Sequence, residues 1–384
     1  MKSFIDLGIS EGLNKVLKEN RIYEPTPIQE ISIPRILEGG DIVGQAQTGT
    51  GKTLAFMLPI FEMIDEDKLD TQVLIITPTR ELALQLTEEA KKLSKYKPLE
   101  ILAVYGGQDV NQQLNKLTRG VQLIIATPGR LLDHINRGSV NLSKIKHLVI
   151  DEADEIINMG FFDDVEKIIE KTPPYRQTLL YSATMPNRVK SISRKLMKSP
   201  IRLEASEKDI TVDQIEEVEI RTTHRQKEED LINYLEEHRP FMAIIFCRTK
   251  ARVKKLTTSL AQKGYNVDEI HGDLSQAKRE RAMKKFRDLE TQYLVATDLA
   301  ARGLDIDGVT HVFNYDEPEK KDSYTHRIGR TGRAGGEGVA VTFIVDEPGS
   351  DSRRGPKGAS RRPARNKKNT RNNRGKSKQR NRRR

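Results

Sequence analysis

Short apolar runs rich in β-branched residues alternate along this chain with longer, charge-rich stretches whose apolar residues recur at helical spacing. Such alternation predicts α/β units around a mostly parallel sheet, because strands covered by helices on both faces have no polar face to show. The pattern occurs twice. The first half offers strands at Val73–Ile76, Leu123–Ala126, Leu148–Ile150 and Thr178–Tyr181, the second at Ala243–Phe246, Tyr293–Ala296, Val312–Tyr315 and Val339–Phe343. Between them residues 205–214 are polar and without a clear period, which places a linker there. Residues 1–204 are thus expected to form one domain and 215–348 a second, and a length of 384 residues suits two domains.

Composition changes this picture at one end. The formal charge is +11, but residues 349–384 alone hold 16 Lys and Arg against one Asp, a formal +15, which leaves −4 on residues 1–348. That segment contains no Val, Leu, Ile, Met or aromatic residue. It cannot bury enough apolar surface to offset its ordering entropy and is expected to be a disordered basic tail suited to a polyanion. The single cysteine, Cys247, excludes an internal disulfide and fits a reducing compartment; at the end of an apolar strand it reads as a small hydrophobe. No apolar run approaches the roughly 20 residues that span a bilayer, and Asp6 interrupts any secretory signal at the start. A soluble, cytoplasmic protein without a membrane association is the expectation.

The chemistry is carried by two short segments in the first half. Gln47-Thr48-Gly49-Thr50-Gly51-Lys52-Thr53, after Ala46, has the composition of a phosphate-binding loop: glycines let backbone N–H groups close on phosphate oxygens, Lys52 supplies a point charge, and the Thr53 hydroxyl can ligate Mg²⁺. Asp151-Glu152-Ala153-Asp154 follows the strand at 148–150, where sites of parallel sheets lie. Asp151 offers a carboxylate to the same ion, and Glu152 can orient or deprotonate an attacking water. In the second half, His326-Arg327-Ile328-Gly329-Arg330-Thr331-Gly332-Arg333 could aim more than one guanidinium at a single anion. Arg330 and Arg333 are the candidates to stabilise charge on a transferring phosphoryl group.

Taken in order, these and further motifs resemble the DEAD-box RNA helicases. Pro25-Thr26-Pro27-Ile28-Gln29 resembles the family's Q motif; Pro78–Ala83, Gly106-Gly107 and Thr127–Arg130 resemble the RNA-contacting motifs of its first domain. Ser182-Ala183-Thr184 resembles the motif that couples nucleotide to strand separation. Phe246–Thr249, Gln276–Arg279, Ala296–Asp298 and Arg302–Asp305 resemble those of the second domain. The resemblance implies two tandem RecA-like domains, ATP and Mg²⁺ as substrate and cofactor, and RNA as partner. It assigns adenine to Gln29, a pairing also suited to glutamine's bidentate geometry, and ribose to Asp305. Arg80, Gly107, Thr127, Arg130, Arg248, Arg279 and Thr297 would line the RNA path, and His326 would link the second domain to Asp154, Ser182 and Thr184.

Contacts of this kind address phosphate and sugar, so RNA would be bound with little regard to sequence. The chain departs from the family pattern at Arg21 and Ile22, where a glycine and an aromatic are usual; Phe4 or Tyr23 is expected to compensate by stacking on adenine. It also lacks the helical sequence that usually follows Phe343-Ile344-Val345, which predicts a less stable second domain. Two rivals share every motif, an ATP-gated RNA clamp and a basic annealing protein that works through its tail. Similarity to bacterial cold-shock-type members points, by analogy alone, to ribosomal or messenger RNA and to partner proteins of ribosome assembly or RNA degradation.

Overall fold

The computed structural model describes residues 2–46, 49–204, 215–301, 306, 308–318, 321–332 and 337–345. The expected linker, the tail and the sequence after Val345 lie outside these residues, as do Gln47, Thr48, Asp305 and Arg333.

The first lobe runs α1 (Glu11–Glu19), α2 (Pro27–Leu37), β1 (Ile42–Gln45), α3 (Lys52–Met63), β2 (Val73–Ile76), α4 (Arg80–Leu93), β3 (Ile101–Val104), α5 (Val110–Leu117), β4 (Leu123–Ala126), α6 (Pro128–Asn136), β5 (His147–Ile150), α7 (Ala153–Asn158), α8 (Phe162–Ile169), β6 (Gln177–Ser182), α9 (Asn187–Leu196) and β7 (Ile201–Glu204). The second runs β8 (Ile215–Thr222), α10 (Lys227–His238), β9 (Ala243–Phe246), α11 (Lys250–Gln262), β10 (Val267–Ile270), α12 (Gln276–Arg287), β11 (Tyr293–Ala296), α13 (Asp298–Ala301), β12 (His311–Asn314), α14 (Lys321–Ile328) and β13 (Gly338–Val345). Their sheets order as β3-β4-β2-β5-β6-β1-β7 and β10-β11-β9-β12-β13-β8. Among the described residues every strand pair is parallel.

Apolar runs make strands here because both faces of each sheet are covered. Val73 and Ile75 of β2 join a core with α1–α4, while Leu74 and Ile76 join the opposite core with α6–α9. In the second lobe Ala243 and Ile245 of β9 face one core and Ile244 and Phe246 the other. All eight expected strands are present within a few residues. Five more, β1, β3, β7, β8 and β10, carry weaker apolar signals. Four of these are edge strands: β7 and β8, for example, alternate or mostly expose their side chains, so no apolar run marks them. The fifth, β1, is internal but has only Ile42 and Val43 before Gly44, where a Cβ would come within 2.5 Å of the Tyr181 ring.

Helix signals are equally local. Ser10, Thr79 and Thr249 cap α1, α4 and α11 by accepting from Leu13, Leu82 and Arg252 N–H, each such cap being worth about 1 kcal/mol. Among the described residues no helix is long and apolar enough to cross a membrane.

Buried and half-buried histidines tie stability to pH. His311 on β12 lies against Tyr234 and Phe313, at ring separations of 6.2 and 6.0 Å. Burial, with a smaller push from His238, lowers it to about 4; burial lowers His134 and His147 as well. Because the unfolded chain takes these protons near the ordinary histidine pKa of about 6.5 while the fold resists them, stability is full above that pH and declines as pH falls toward 4. Thermal melting from pH 7 to 4 should show this decline, and His311→Gln should make it shallower; an unchanged slope would remove His311 as a contributor.

Candidate active site and nucleic-acid interface

The phosphate-loop segment leaves the C-terminal end of β1 and opens α3, with Gly51 at its N-cap in a left-handed conformation (φ 86°). A side chain there would strain the backbone and place Cβ 2.5 Å from Gln29 Nε2. Gln29 is itself buried and ties the two segments together: its Oε1 accepts from Thr26 N at 3.0 Å and its Nε2 donates to the Gly51 carbonyl at 3.0 Å. One lone pair and one N–H of the amide remain for a ligand.

Lys52 opens α3 at 6% exposure, and its Nζ has no hydrogen-bond partner. An unpaired buried ammonium is costly unless an anion completes it. Thr50 and Asp151 are buried around the same loop, and Thr53 is half-buried.

Asp151 follows β5, two strands from β1 across β6, so both segments meet outside the carboxyl ends of the sheet. Burial raises the Asp151 carboxyl above its usual range, opposed mainly by Lys52; burial raises Glu152 likewise, opposed mainly by Arg330. Glu152 is the N-cap of α7 at φ 50°, ψ 52°, a strained conformation for a residue with a Cβ, and its Oε2 has no hydrogen-bond partner. No group of three or more potential His, Cys, Asp or Glu ligands occurs among the described residues. Two protein oxygens, from Thr53 and Asp151, fit Mg²⁺, which keeps phosphate and water oxygens around itself, better than a metal held in a protein cage.

The residues expected to couple the lobes form one knot. Asp154 Oδ2 accepts from Thr184 N at 2.8 Å and from its hydroxyl at 2.7 Å, Asp154 N donates to Ser182 Oγ at 3.2 Å, and Ser182 Oγ donates to the Thr184 carbonyl at 2.7 Å. From the second lobe His326 Nε2 comes within 3.7 Å of Asp154 Oδ2 and its Nδ1 within 3.6 Å of Glu155 Oε1. Burial lowers the His326 pKa, with Asp154 opposing. Arg330 is 3% exposed and donates from Nε to the His326 carbonyl at 3.1 Å.

The guanidinium of Arg327, from the same motif, donates to Asp298 Oδ2 at 2.6 Å, Asn314 Oδ1 at 3.1 Å and the Asp316 carbonyl at 2.6 Å, all within its own lobe. One expectation changes. Phe4, expected to stack on adenine, is wholly buried among Leu7, Ile9 and Leu13 and offers no free ring face, whereas Tyr23 is exposed. Glu155 is buried beside His326, and nothing in the sequence separates it from the acidic run before it.

A second cavity, of about 270 Å³, lies between the lobes and gathers Arg80, Thr127, Arg130 and Arg279 with Gly106 and Gly129. Arg80 lies over the turn after β3, where a Cβ on Gly107 (φ 92°) would come 2.7 Å from Nη1, and it donates to Gln276 Oε1 at 3.3 Å. Arg279 is paired with Glu81 at 2.9 Å across the lobes, so an anion entering here would compete with that carboxylate. Arg248 and Thr297 do not line this cavity; they follow the neighbouring strands β9 and β11. Arg248 Nη2 donates to the Glu317 carbonyl at 3.3 Å.

Comparison with known proteins agrees with this geometry. The DEAD/DEAH box helicase family matches residues 26–192, and the helicase conserved C-terminal domain matches residues 226–335. ATP-dependent RNA helicase CshA of Limosilactobacillus reuteri is 50% identical over 342 residues, 89% of this chain and 69% of that protein. Its counterpart in Listeria monocytogenes is 49% identical over 344 residues, 90% of this chain and 66% of that protein. The chain thus spans about two thirds of the length of these relatives. Among solved structures, S. cerevisiae Dbp5 bound to RNA and ADP BeF3 aligns with a TM-score of 0.83 at 32% identity, covering 90% of each chain. A DEAD box protein from Methanococcus jannaschii is 38% identical over 89% of this chain and 93% of its own, yet aligns at 0.54. The whole chain therefore superposes more closely on the RNA-bound relative than on this second protein, although the second shares more of its sequence.

Proposed function

The chain belongs to the DEAD-box family of ATP-dependent RNA helicases, and on that premise we propose that it remodels short RNA duplexes and RNA–protein complexes by ATP-driven closure of its two lobes. The observation that carries this reading is the burial of His326 and Arg330, from the second lobe, against Asp154 and Glu152 of the first. A site divided in this way is complete only when the lobes meet.

ATP would be held by Gln29, the loop at 47–53 and Asp305, with Lys52 on the terminal phosphates and Arg330 and Arg333 opposite. Thr53 and Asp151 would hold Mg²⁺, which neutralises charge on the phosphates when bound. Glu152 accepts or orients a proton of the attacking water. RNA would cross Arg80, Gly107, Thr127, Arg130 and Arg279 and continue toward Arg248 and Thr297. Closure favoured by ATP assembles this surface, and by linkage RNA tightens ATP binding to the same degree. The basic tail would hold RNA near the lobes by counterion release. Such a protein would work in the cytoplasm.

Two assays test this. ATP hydrolysis should be stimulated by single-stranded RNA, and short duplexes should separate at limiting protein. Removing residues 349–384 should flatten the salt dependence of RNA binding and leave maximal hydrolysis nearly intact. Stimulation without strand separation would favour the clamp reading, and annealing that persists in Lys52→Ala the tail-driven one.

A further inference from the structure

Behind the turn Gly106–Gln108 runs a buried polar chain that neither ATP nor RNA touches in the reading above. Gln113 on α5 is 1% exposed; its Nε2 donates to the Tyr105 carbonyl and to Gln108 Oε1, both at 3.1 Å, and its Oε1 lies 2.9 Å from His134 Nε2. His134 on α6 is wholly buried, with Nδ1 2.8 Å from Ser139 Oγ. At the other end Gln108 donates to the Tyr105 hydroxyl, and its carbonyl accepts from Arg130 Nη1 at 3.3 Å.

The direction of these bonds follows from counting donors. Both N–H groups of Gln113 are committed to oxygens, so its own oxygen accepts, and His134 carries its proton on Nε2. Burial keeps the ring neutral, which leaves Nδ1 as an acceptor facing the Ser139 hydroxyl, whose single proton also points to the His134 carbonyl at 3.0 Å. What the polar chain adds is orientation. Its free end fixes the Tyr105 carbonyl and Gln108, the two residues that flank Gly106-Gly107, and through the Gln108 carbonyl it fixes Arg130.

We propose that Gln113 and His134 are positioning residues for RNA, holding the Gly106–Gln108 turn and the Arg130 guanidinium in the geometry that receives phosphates. The proposal rests on reading the cavity between the lobes as the RNA path. Neither residue approaches the ATP site, so the effect should fall on RNA use alone.

The test is RNA-stimulated ATP hydrolysis with single-stranded oligouridylate, following half-saturating RNA, maximal turnover and turnover without RNA. Gln113→Glu keeps the shape but removes both N–H donors. Its half-saturating RNA should rise about tenfold, equivalent to about 1.4 kcal/mol, with both turnover numbers unchanged within about twofold. His134→Phe should do the same, while His134→Gln, which can still donate to Gln113, should recover most of the loss. Arg130→Ala should also weaken RNA, and Gln113→Glu should add little to it, because coupled residues are not additive. Unchanged half-saturation in both Gln113→Glu and His134→Phe, beside a weakened Arg130→Ala, overturns the proposal, as do effects that multiply in the double variant. An unchanged Arg130→Ala would instead remove the RNA path, and the proposal with it. Should Gln113→Glu fail to fold, the contrast between His134→Phe and His134→Gln decides alone.

Discussion

Glu152→Gln is expected to lower RNA-stimulated ATP hydrolysis by a factor on the order of 10²–10⁴, the usual contribution of a positioned acid or base, while ATP still binds. The substitution preserves size and polarity at a strained N-cap, where φ is 50°, so the backbone of α7 has no reason to move. What disappears is basicity. The carboxyl is buried and its pKa raised by that burial, which makes it a better proton acceptor than a solvated glutamate. An amide accepts a hydrogen bond but no proton. In the proposed reading ATP is held by Lys52 and the loop before it, so equilibrium binding should survive, and RNA should be held longer because the closed form is no longer discharged by hydrolysis. Single-turnover hydrolysis and RNA dissociation, measured together, check both halves. Wild-type turnover in the variant would mean that Glu152 neither takes nor orients the proton.

Arg330→Ala is expected to cost 10³-fold or more in turnover, the range found for arginines that stabilise a transferring phosphoryl group. Arg330 is buried beside Glu152 and is the main influence holding that carboxyl down against the effect of burial. Its removal therefore has a second, separable sign. The Glu152 pKa should rise further, so the ascending limb of the residual pH–rate profile should move to higher pH. Arg330→Lys retains charge but not the planar fork and should restore the pH profile better than the rate. Loss of ATP binding to the same extent as loss of turnover would assign Arg330 to ground-state binding instead.

Both experiments turn on residues that short motifs made visible, and the reason is chemical. Phosphate loops and the acidic segment after a buried strand need particular residues at fixed spacing, so Lys52, Asp151 and Glu152 stand out in sequence and meet in space. The apolar strands were legible because helices cover both faces of each sheet. Edge strands were not, since solvent relaxes their composition, and β1 was obscured by Gly44, whose missing side chain makes room for Tyr181. Phe4 shows the opposite failure: an aromatic residue near a nucleotide motif looks like a stacking ring, but only packing reveals that both faces are taken. Arg327 and Arg330 share one short motif and yet face different ways, one to Asp298 and one toward Glu152, because a helix end places residues three apart on nearby but unequal faces. The chain from Ser139 to Gln108 was invisible because Gln and His in an amphipathic pattern read as solvent-facing.

The order of strands in the first sheet also has a consequence during synthesis. β1 is made early but lies between β6 and β7, so it has no neighbour to pair with until β6 exists. From Gln45 to Ser182, the end of β6, is roughly 137 residues of chain, which at about 5–20 residues per second takes a ribosome on the order of 7–27 s to produce. Through that interval the nascent chain carries an unpaired strand with the proposed phosphate loop directly after it, so this protein is exposed to aggregation longest in the segment proposed to hold its nucleotide.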